Sequence, residues 1–349
     1  MTLDQYKPSG NQTQQNKVIV FSSQAYDKDF LTQHCPDSIE FQFFETKLDA
    51  KSVVLASGFD VVSVFVNDTI DAEVIDALLE MGVEHIALRC AGYNNVDVEY
   101  ANERGMAVSR VPAYSPQAVA EHTIALMMAL NRKLHKAYNR VKEGNFDLNG
   151  LLGFNLYGKT VGIIGTGKIG QAVINILLGF GCKIICYDVA QSVDVTAKGA
   201  HYTSLDELTQ QSDIISLHCP LLPETKHLIN NARLSAMKEG VMLINTSRGK
   251  LVDTKAVINA IKRKHIGALG LDVYEMEENL FFKNRSSEII EDDVFQRLLT
   301  FPNVLITGHQ GFFTHEALTE IAQTTISNIE YFASQQKPEQ EDAIASNFL

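Results

Sequence analysis

The segment KTVGIIGTGKIGQAVINILLGFGCKIICYD, residues 159–188, constrains the fold of this chain more than any other stretch. VGIIG is a short apolar run rich in Ile and Val, which is typical of a parallel strand buried on both faces. Gly165, Gly167 and Gly170 follow in the order GxGxxG. The first glycine allows a tight turn, the second lets the backbone approach a pyrophosphate, and the third lets the next helix pack close to the strand.

The surroundings of these glycines indicate a dinucleotide site rather than an ordinary turn. We expect a helix over 168–180. Its first N–H groups and positive dipole end would then point at a bound phosphate. The run KIICYD then returns the chain to the sheet and leaves Asp188 at its carboxyl end, where the carboxylate could hydrogen-bond the adenosine ribose. A strand before the glycines, a helix after them and an acid about 20 residues later are the context that identifies such a loop.

Length and composition predict a globular chain of two domains. The 349 residues are too many for one small core, and 45% are hydrophobic. A net charge of −12 argues against nucleic acid or an anionic membrane as a partner. Segment 1–17 is polar, and no apolar run is long enough for a membrane span, so neither a signal peptide nor a membrane segment is expected. The five cysteines lack zinc-type spacing, and their odd number favours a reducing cytoplasm, so we expect no metal site.

Residues 18–109 repeat a strand-then-helix pattern. The candidate strands are KVIVF, EFQFF, DVVSVFV, EHIALR and MAVSR. The segment DAEVIDALLEMG, which closes with Gly82, has apolar residues at helical spacing. Five such units predict a small open parallel sheet of the flavodoxin-like type. The loop after EHIALR contains Gly92, which could bring backbone N–H groups near a ligand.

Two long helices are expected outside this pattern. Ser115 is a candidate N-cap with Pro116 at the first helical position, and the helix could continue to about Tyr138. Its apolar residues are not confined to one stripe, so it could bridge two domains, form a subunit contact or be an ordinary core helix. A final helix over 314–335 could return to the first domain, and the polar stretch 337–349 is expected to be mobile.

From Lys159 onward the strand-helix alternation begins again, which predicts a second doubly wound sheet. Strands are expected near 160–165, 183–187, 213–217, 241–245, 267–271 and 304–307. Such sheets bind ligands beyond the carboxyl ends of their strands. Arg248, the pair Glu275 and Glu277, and His309 each follow one of these strands. An arginine, carboxylates and a histidine therefore meet at the edge where the nicotinamide half of a cofactor would lie.

Hydride transfer between a nicotinamide and a carbonyl needs groups that hold the substrate, polarise its carbonyl and move the hydroxyl proton. Arg248 suits the first two tasks because its planar fork pairs with a carboxylate and stays charged. His309 suits the third, and Glu277 could hold its ring. Each residue alone has an ordinary explanation as a solvated arginine, a structural histidine or part of a solvated acidic run. Their joint placement at consecutive strand ends favours the catalytic explanation.

The motifs GTGKIG with Asp188, NTSRG, DVYEME and TGHQ resemble, in order and spacing, those of the D-2-hydroxyacid dehydrogenase family over nearly the whole chain. The resemblance implies that Arg248 binds the substrate carboxylate and polarises the keto oxygen. It makes His309 the acid/base and Glu277 its partner, as the second acid of the DVYExE pattern. It also implies a substrate-binding domain of residues 1–113 and 313–349, an inserted NAD-binding Rossmann domain of residues 114–312, and a cleft between them.

Further contacts and alternatives follow from the same resemblance. Contacts with NAD are implied for Gly165, Gly167, Lys168, Ile169, Gly170, Asp188, Cys219, Pro220, Thr225, Thr246 and Asp272. Contacts with a 2-ketoacid or 2-hydroxyacid substrate are implied for the amides of Ala91 and Gly92, for Tyr114 and for Arg248. The segments RCAGYNNVD, VPAYSPQAVAEH and SLHCPL are most similar to cytoplasmic members that interconvert pyruvate and D-lactate, which implies a homodimer or homotetramer. Another D-2-hydroxy acid, or a dinucleotide-sensing corepressor that keeps the same motifs, remain the alternatives.

Overall fold

The computed structural model describes residues 15–334 and 345–349. Within these ranges the chain forms two compact units: one consists of the described residues up to Tyr114 and from Thr314 onward, and the other of Ser115–Phe313. The expected mobility of stretch 337–349 falls largely on residues outside the described ranges. No described helix combines the length and the apolar character that a bilayer crossing requires.

The first unit is a parallel sheet with helices between its strands. Its order along the chain is β1 (Asn16–Val20), α1 (Ala25–His34), β2 (Ile39–Phe43), β3 (Val61–Val64), α2 (Ala72–Glu80), β4 (His85–Leu88), α3 (Val98–Glu103) and β5 (Ala107–Ser109). The described strands lie in the order β2-β1-β3-β4-β5, and every pair is parallel. This is the flavodoxin-like order, so the prediction for this part of the chain is confirmed.

Local sequence explains the helix boundaries in this unit. The Asp71 side chain accepts the Val74 N–H at 3.1 Å and caps α2, and Gly82 adopts φ +84° just beyond its end. The strands β3 and β4 are buried at every position, because helices cover both faces of a doubly wound sheet.

The second unit repeats this architecture on a larger scale. It contains α4 (Pro116–Arg132), α5 (Leu134–Lys142), β6 (Thr160–Ile164), α6 (Lys168–Gly179), β7 (Lys183–Tyr187), α7 (Val193–Ala197), β8 (His201–Tyr202), α8 (Leu205–Gln211), β9 (Ile214–Leu217), α9 (Asn231–Ala236), β10 (Val241–Asn245), α10 (Thr254–Lys262), β11 (Ile266–Leu271), α11 (Asp293–Leu299) and β12 (Val304–Ile306). The described sheet has the order β12-β11-β10-β9-β6-β7-β8 with parallel pairing. Counted from β6, this is the Rossmann order 3-2-1-4-5-6 extended by one strand, so the second predicted sheet is also confirmed. The two-residue strand β8 was not expected.

After this unit the chain returns to the first one through α12 (His315–Ala333). Thr314 caps the helix by accepting the Ala317 N–H at 3.2 Å, and α12 packs on α1. The last residues also belong to the first unit, because Phe348 forms an antiparallel bridge with Ser109 and Leu349 N donates to Val108 O at 2.9 Å.

The expectation of one helix from Pro116 to about Tyr138 is wrong. Ser115 and Pro116 begin α4 as predicted, but Lys133 adopts φ +51° and ψ +39°, a left-handed conformation that ends α4 and separates it from α5. Helix α4 packs against α6 and the strands β10 and β11 of its own unit, so it is a core helix there. Helix α5 has no buried residue.

Candidate active site

The glycine loop between β6 and α6 has the geometry of a phosphate cradle. Gly165 adopts φ +97°, and a Cβ on it would lie 2.5 Å from Cys219 N. A Cβ on Gly170 would lie 2.1 Å from Gly165 O, so the helix and the loop pack too closely for a side chain. Gly167 differs, because a Cβ there would meet no protein atom within 4 Å. The open space beside Gly167, at a helix N-terminus whose first N–H groups lack intrahelical acceptors, fits the pyrophosphate of NAD.

The two residues after Gly167 open helix α6. Lys168 is exposed and Ile169 is half-buried. Both stand at the start of α6, so their backbone N–H groups belong to its first turn.

Asp188 lies beside the same loop and is held by it. Its Oδ2 accepts hydrogen bonds from Thr166 N at 2.6 Å and from the Thr166 hydroxyl at 3.1 Å, and its Oδ1 accepts from Ala190 N at 3.1 Å. Burial alone would raise the pKa of Asp188, but these hydrogen bonds outweigh it and hold the pKa below the usual range. The carboxylate is therefore ionised and fixed at the end of β7.

A chain of hydroxyls continues from this carboxylate. Because the Thr166 hydroxyl donates to Asp188, the Tyr202 hydroxyl at 2.8 Å donates to Thr166 and in turn accepts the Ser192 N–H at 2.9 Å. Thr166 and Tyr202 were not predicted. Thr166 stands inside the GxG motif and could have been considered, whereas Tyr202 lies on the unexpected strand β8 and carries no sequence signal.

Arg248 lies in the loop after β10. Its Nη1 donates to Ser247 O at 2.8 Å, and its own carbonyl accepts from the Asn245 side-chain amide at 2.9 Å. The next residue, Gly249, is pressed against the chain at Tyr274, because a Cβ on it would lie 2.1 Å from Tyr274 C. Within the part of the chain that the structure describes, no carboxylate forms an ion pair with Arg248. The residue is half-buried, and its guanidinium is available to an anion.

His309 follows β12 and contacts Glu277. His309 Nδ1 lies 2.8 Å from Glu277 Oε1, and the two side chains are 17% and 18% exposed. The second oxygen of Glu277 accepts the Tyr274 N–H at 2.8 Å, which fixes the carboxylate from the other side. His309 adopts φ +55°, and its N–H donates to Asp272 O at 2.7 Å. The left-handed backbone, which costs about 1–3 kcal/mol, is held by these contacts.

Two aromatic rings also contact His309. The Phe282 ring centroid is 5.7 Å from the imidazole and the Phe312 centroid is 6.5 Å from it, in an edge-to-face arrangement. Phe282 itself adopts φ +60°. The two rings place apolar surface beside the ring that we expect to move a proton.

Asp272 is a structural hub of the site. Its carboxylate accepts from Gln310 N at 2.9 Å, from Gly311 N at 2.8 Å and from the Thr307 hydroxyl, and it pairs with His122 Nε2 at 3.2 Å. Burial would raise the pKa of Asp272, but the hydrogen bonds from His122 and Thr307 lower it to about 2. Only 2% of the residue is exposed, and its carboxylate holds the loop that carries His309. The expected contact of Asp272 with the cofactor stays a prediction.

Three residues expected to contact NAD lie in the loop after β9. Cys219 is buried, and its carbonyl accepts from the Ser247 hydroxyl at 2.7 Å. Burial raises the pKa of the Cys219 thiol to about 11, so it is protonated at neutral pH. Pro220 is exposed, and its carbonyl accepts from the Thr225 hydroxyl at 2.7 Å. Thr225 also accepts from Leu222 N at 2.7 Å, so its side chain closes this turn.

Two further side chains lie at the same edge. The Thr123 hydroxyl donates to Val119 O at 2.8 Å, so the Thr246 hydroxyl, 2.8 Å from it, is the donor in their contact. His218 was not proposed as a site residue, yet its Nε2 lies 2.8 Å from the Ser216 hydroxyl and its Nδ1 is buried with no partner among the described residues. Burial lowers the pKa of His218 to about 4, so the ring is neutral.

The candidate substrate residues of the first unit lie near the carboxyl end of β4 and at the end of the unit. Ala91 and Gly92 are half-buried, and no described group accepts their backbone N–H groups. The Ala91 carbonyl accepts from Arg110 Nη1 at 3.1 Å, which holds this loop. Tyr114 is half-buried and is the last residue of the unit before α4.

The fold and the glycine loop define a dinucleotide-dependent oxidoreductase of the doubly wound class. Residues 124–311 match the model of the D-isomer specific 2-hydroxyacid dehydrogenase, NAD binding domain. The chain belongs to the D-isomer specific 2-hydroxyacid dehydrogenase family. The resemblance inferred from the motifs, and the prediction of NAD as cofactor, are thereby confirmed.

Individual relatives agree with this membership. The chain is 52% identical to a 2-hydroxyacid dehydrogenase homolog of Haemophilus influenzae and 51% identical to D-lactate dehydrogenase of Escherichia coli. Each match covers 90% of this chain and 95% of the relative. Among solved structures, D-lactate dehydrogenase from Aquifex aeolicus complexed with NAD and lactic acid is 36% identical, with a TM-score of 0.84 over 95% of this chain and 98% of that one.

Proposed function

We propose that the chain is an NAD-dependent D-lactate dehydrogenase that reduces pyruvate to D-lactate and catalyses the reverse reaction. The observation that carries the proposal is the contact of 2.8 Å between His309 Nδ1 and Glu277 Oε1, in the same unit as the glycine loop and the unpaired Arg248. A dinucleotide cradle alone would serve a binding protein as well. A fixed histidine-carboxylate pair and an available guanidinium supply the further groups that reduction of a 2-ketoacid requires.

The cofactor would be held by residues whose geometry fits it. The N-terminus of α6 and the open space at Gly167 would receive the pyrophosphate, and Asp188 would accept the adenosine ribose hydroxyls. The remainder of the cofactor would be lined by Lys168, Ile169, Cys219, Pro220, Thr225, Thr246 and Asp272. Where their side chains are already engaged, their backbone groups would make the contact. When bound, NADH supplies the hydride that the substrate carbon accepts.

The chain's own residues would bind the substrate and handle its charge and proton. Arg248 would bind the carboxylate of pyruvate with charge-assisted hydrogen bonds and stabilise negative charge that develops on the keto oxygen. Glu277 occupies Nδ1 of His309, so Nε2 is the atom that would donate a proton to that oxygen. In lactate oxidation the neutral Nε2 would accept the hydroxyl proton. From the first unit, the N–H groups of Ala91 and Gly92, and Tyr114, would contact the substrate.

The domain roles form part of the same proposal. Residues 1–113 and 313–349 would bind the substrate, and residues 114–312 would bind NAD. The five cysteines are free, and four of them are buried, which is compatible with the reducing cytoplasm where we place the enzyme.

A homo-oligomer is also part of the proposal, formed through the second unit. The segment 134–157 exposes large apolar side chains: Leu134, Tyr138, Val141, Phe146, Leu148, Leu152 and Tyr157 are each at least 55% exposed. Such a concentration in one segment is typical of a protein interface, and a second copy of the chain is the proposed partner. Sedimentation velocity should show a dimer or tetramer, and Leu148→Glu with Leu152→Glu should dissociate it.

The experiment that tests the function is NADH oxidation with a panel of 2-ketoacids, followed by determination of the product's chirality. Pyruvate should give the highest kcat/KM and D-lactate as product. A higher kcat/KM for a bulkier 2-ketoacid would replace the substrate but keep the class of enzyme. NADH binding without turnover of any 2-ketoacid would instead support the corepressor-like alternative.

A further inference from the structure

Glu275, two residues before Glu277, pairs with a different histidine. Its Oε1 lies 2.6 Å from His227 Nε2, while its Oε2 accepts from the Thr254 hydroxyl at 2.9 Å and from Thr254 N at 3.3 Å. Thr254 is the first residue of α10, so this carboxylate also lies at a helix N-terminus, where negative charge is favoured. Two histidine-glutamate pairs therefore diverge from one short segment of the chain.

The second pair encloses the loop that carries Arg248. His227 N donates to Lys250 O at 2.9 Å, two residues after Arg248, and Glu275 holds Thr254, six residues after it. Between these contacts, Gly249 is pressed against the backbone of residues 274–275. The loop after β10 is thus fixed on one side by segment 225–230 and on the other by segment 272–277.

The backbone at His227 is shaped for this contact. His227 adopts φ +51°, a left-handed conformation that is uncommon outside glycine, asparagine, aspartate and histidine. The neighbouring Ile229 continues the attachment, because it bridges Val252 in parallel and its N–H donates to Leu251 O at 3.0 Å. The strained residue therefore lies where segment 225–230 joins the Arg248 loop.

Stability alone does not account for such a pair. The His227 side chain is 36% exposed and that of Glu275 is 25% exposed, and ion pairs this accessible to water contribute only about 0–1 kcal/mol to folding. A contact of this kind can still fix the geometry of a loop. A displacement of about 1 Å at a substrate-binding group can cost on the order of 100-fold in rate.

We propose that His227 and Glu275 form a positioning pair that holds Arg248 in place for the carboxylate of the 2-ketoacid. The proposal rests on the function proposed above for Arg248. Neither side chain touches the reacting atoms. Loss of the pair would therefore weaken substrate binding and leave cofactor binding and the His309 proton transfer intact.

A double-mutant cycle tests the pair. His227→Ala and Glu275→Ala should each raise the KM for pyruvate at least about fivefold, while the Kd for NADH, measured by fluorescence, stays within about twofold. Because the two residues act as one unit, the double variant should be no worse than the more impaired single variant. Glu275→Gln keeps an oxygen that can accept from Thr254 and should recover most of the wild-type KM.

A matched control is available in a surface ion pair that joins the same parts of the chain. The ion pair of Lys250 with Glu278 measures 3.4 Å, and its side chains are 47% and 68% exposed. Glu278→Ala should leave the KM for pyruvate unchanged. Independent, additive effects of His227→Ala and Glu275→Ala, or a lower Tm with an unchanged KM, would overturn the inference.

Arg248→Lys in the same assay distinguishes failure of the positioning pair from failure of the proposed function. If that variant keeps nearly normal kcat/KM, the role of Arg248 and the positioning pair both fail. If it is impaired while the pair variants keep the wild-type KM, only the positioning pair fails and the proposed function stands.

Discussion

Glu277 holds His309 through Nδ1, at 2.8 Å, and leaves Nε2 as the ring nitrogen that can face a substrate. Tyr274 N holds the same carboxylate from the opposite side, so the pair has a defined orientation before any ligand binds. A preorganised acid/base needs less rearrangement during reaction than one that must find its orientation each time.

The first prediction concerns the pH dependence of catalysis. In the proposed function, reduction of pyruvate would need the imidazolium of His309 as acid, whereas oxidation of lactate would need the neutral ring as base. The rate of reduction should therefore fall with rising pH, and the rate of oxidation should rise. Glu277→Gln keeps the shape but removes the negative charge beside the ring, so the imidazolium loses its ionic partner and the rate of reduction should fall more than the rate of oxidation.

The measurement is kcat/KM against pH in both directions for wild type, Glu277→Gln and His309→Gln. His309→Gln should lose most of the rate, and the remaining rate should no longer depend on pH in this way. Unchanged profiles in Glu277→Gln would mean that the carboxylate does not act on the ring electrostatically.

The second prediction separates two roles of Asp272. Asp272→Asn replaces one acceptor oxygen by an amide NH2 group that cannot accept. The variant therefore loses either the hydrogen bond from Gly311 N to Oδ2 or those from Thr307 and Gln310 N to Oδ1, and the loop carrying His309 should lose its fixed position. We expect kcat to fall about 10-fold with little change in the Kd for NADH. The exposed Asp293→Asn is the control. A large rise in the NADH Kd with normal kcat would instead support a cofactor contact.

The pKa of Asp272 sets the pH range of this effect. With a pKa of about 2 in the folded chain and 3.8 as the ordinary value, Asp272 contributes stability that is present above pH 3.8 and is lost as pH falls through about 2. Asp272 is therefore ionised throughout the pH range of the kinetic experiments. The pH dependence of the wild-type kcat/KM does not come from its titration.

The third prediction tests Arg248. Arg248→Lys keeps the positive charge but loses the planar fork, which would both bind the carboxylate and stabilise the keto oxygen. Both KM and kcat should suffer, and kcat/KM should fall by at least about 100-fold, or about 2.7 kcal/mol of transition-state stabilisation. NADH affinity should hardly change. Arg263→Lys, an exposed arginine of the same unit, is the control, and near-normal turnover by Arg248→Lys would exclude this role.

Much of the fold could be predicted because its signals are local. The apolar strand runs and the GxGxxG turn each lie within a few residues, and both sheets follow from them. The break at Lys133 could not be predicted, because nothing distinguishes a lysine that will adopt a left-handed conformation. Strand β8 has only two residues, too few for any periodicity, and Tyr202 was missed with it.

The pairing of the two glutamates shows a different limit. Glu275 and Glu277 stand in the same acidic run, and the sequence without a family resemblance does not say which one contacts His309. The choice depends partly on the 3₁₀ turn Glu277–Asn279, which follows Tyr274. It also depends on His227, which lies 48 residues before Glu275 and contacts the carboxylate of that residue. Contacts over such separations depend on the folded chain rather than on any local pattern.

The fourth prediction concerns cofactor preference. The ionised Asp188 would repel the 2′-phosphate of NADPH, whereas it can accept a hydrogen bond from a ribose hydroxyl of NADH. NADH should therefore be preferred, and Asp188→Ser should lower the ratio of kcat/KM for NADH over NADPH by at least about 10-fold. Asp194→Ser, at an exposed acid nearby in the chain, is the control. Equal use of both cofactors by the wild type would remove this interpretation of Asp188.

The last prediction concerns the stability of the first unit at acid pH. His85 is fully buried, with the Phe332 and Phe348 ring centroids at 4.7 and 5.6 Å and the Ser109 hydroxyl 2.7 Å from Nε2. Burial lowers the pKa of His85 from 6.5 to about 3. Between these values the unfolded chain binds a proton that the folded chain does not, so the free energy of unfolding falls as pH drops below 6.5, by about 1.4 kcal/mol per pH unit.

His85→Gln, which is neutral at every pH and can still hydrogen-bond Ser109, should remove this contribution. Urea unfolding followed by far-UV circular dichroism at pH 7.5 and 5.0 should show a loss of stability that is about 2 kcal/mol smaller in the variant than in the wild type, although the variant is less stable at pH 7.5. His218, whose pKa is also lowered, leaves a residual slope from the second unit in both proteins. The exposed His201→Gln should keep the full wild-type loss, and an equal loss in His85→Gln would show that His85 does not couple protonation to unfolding.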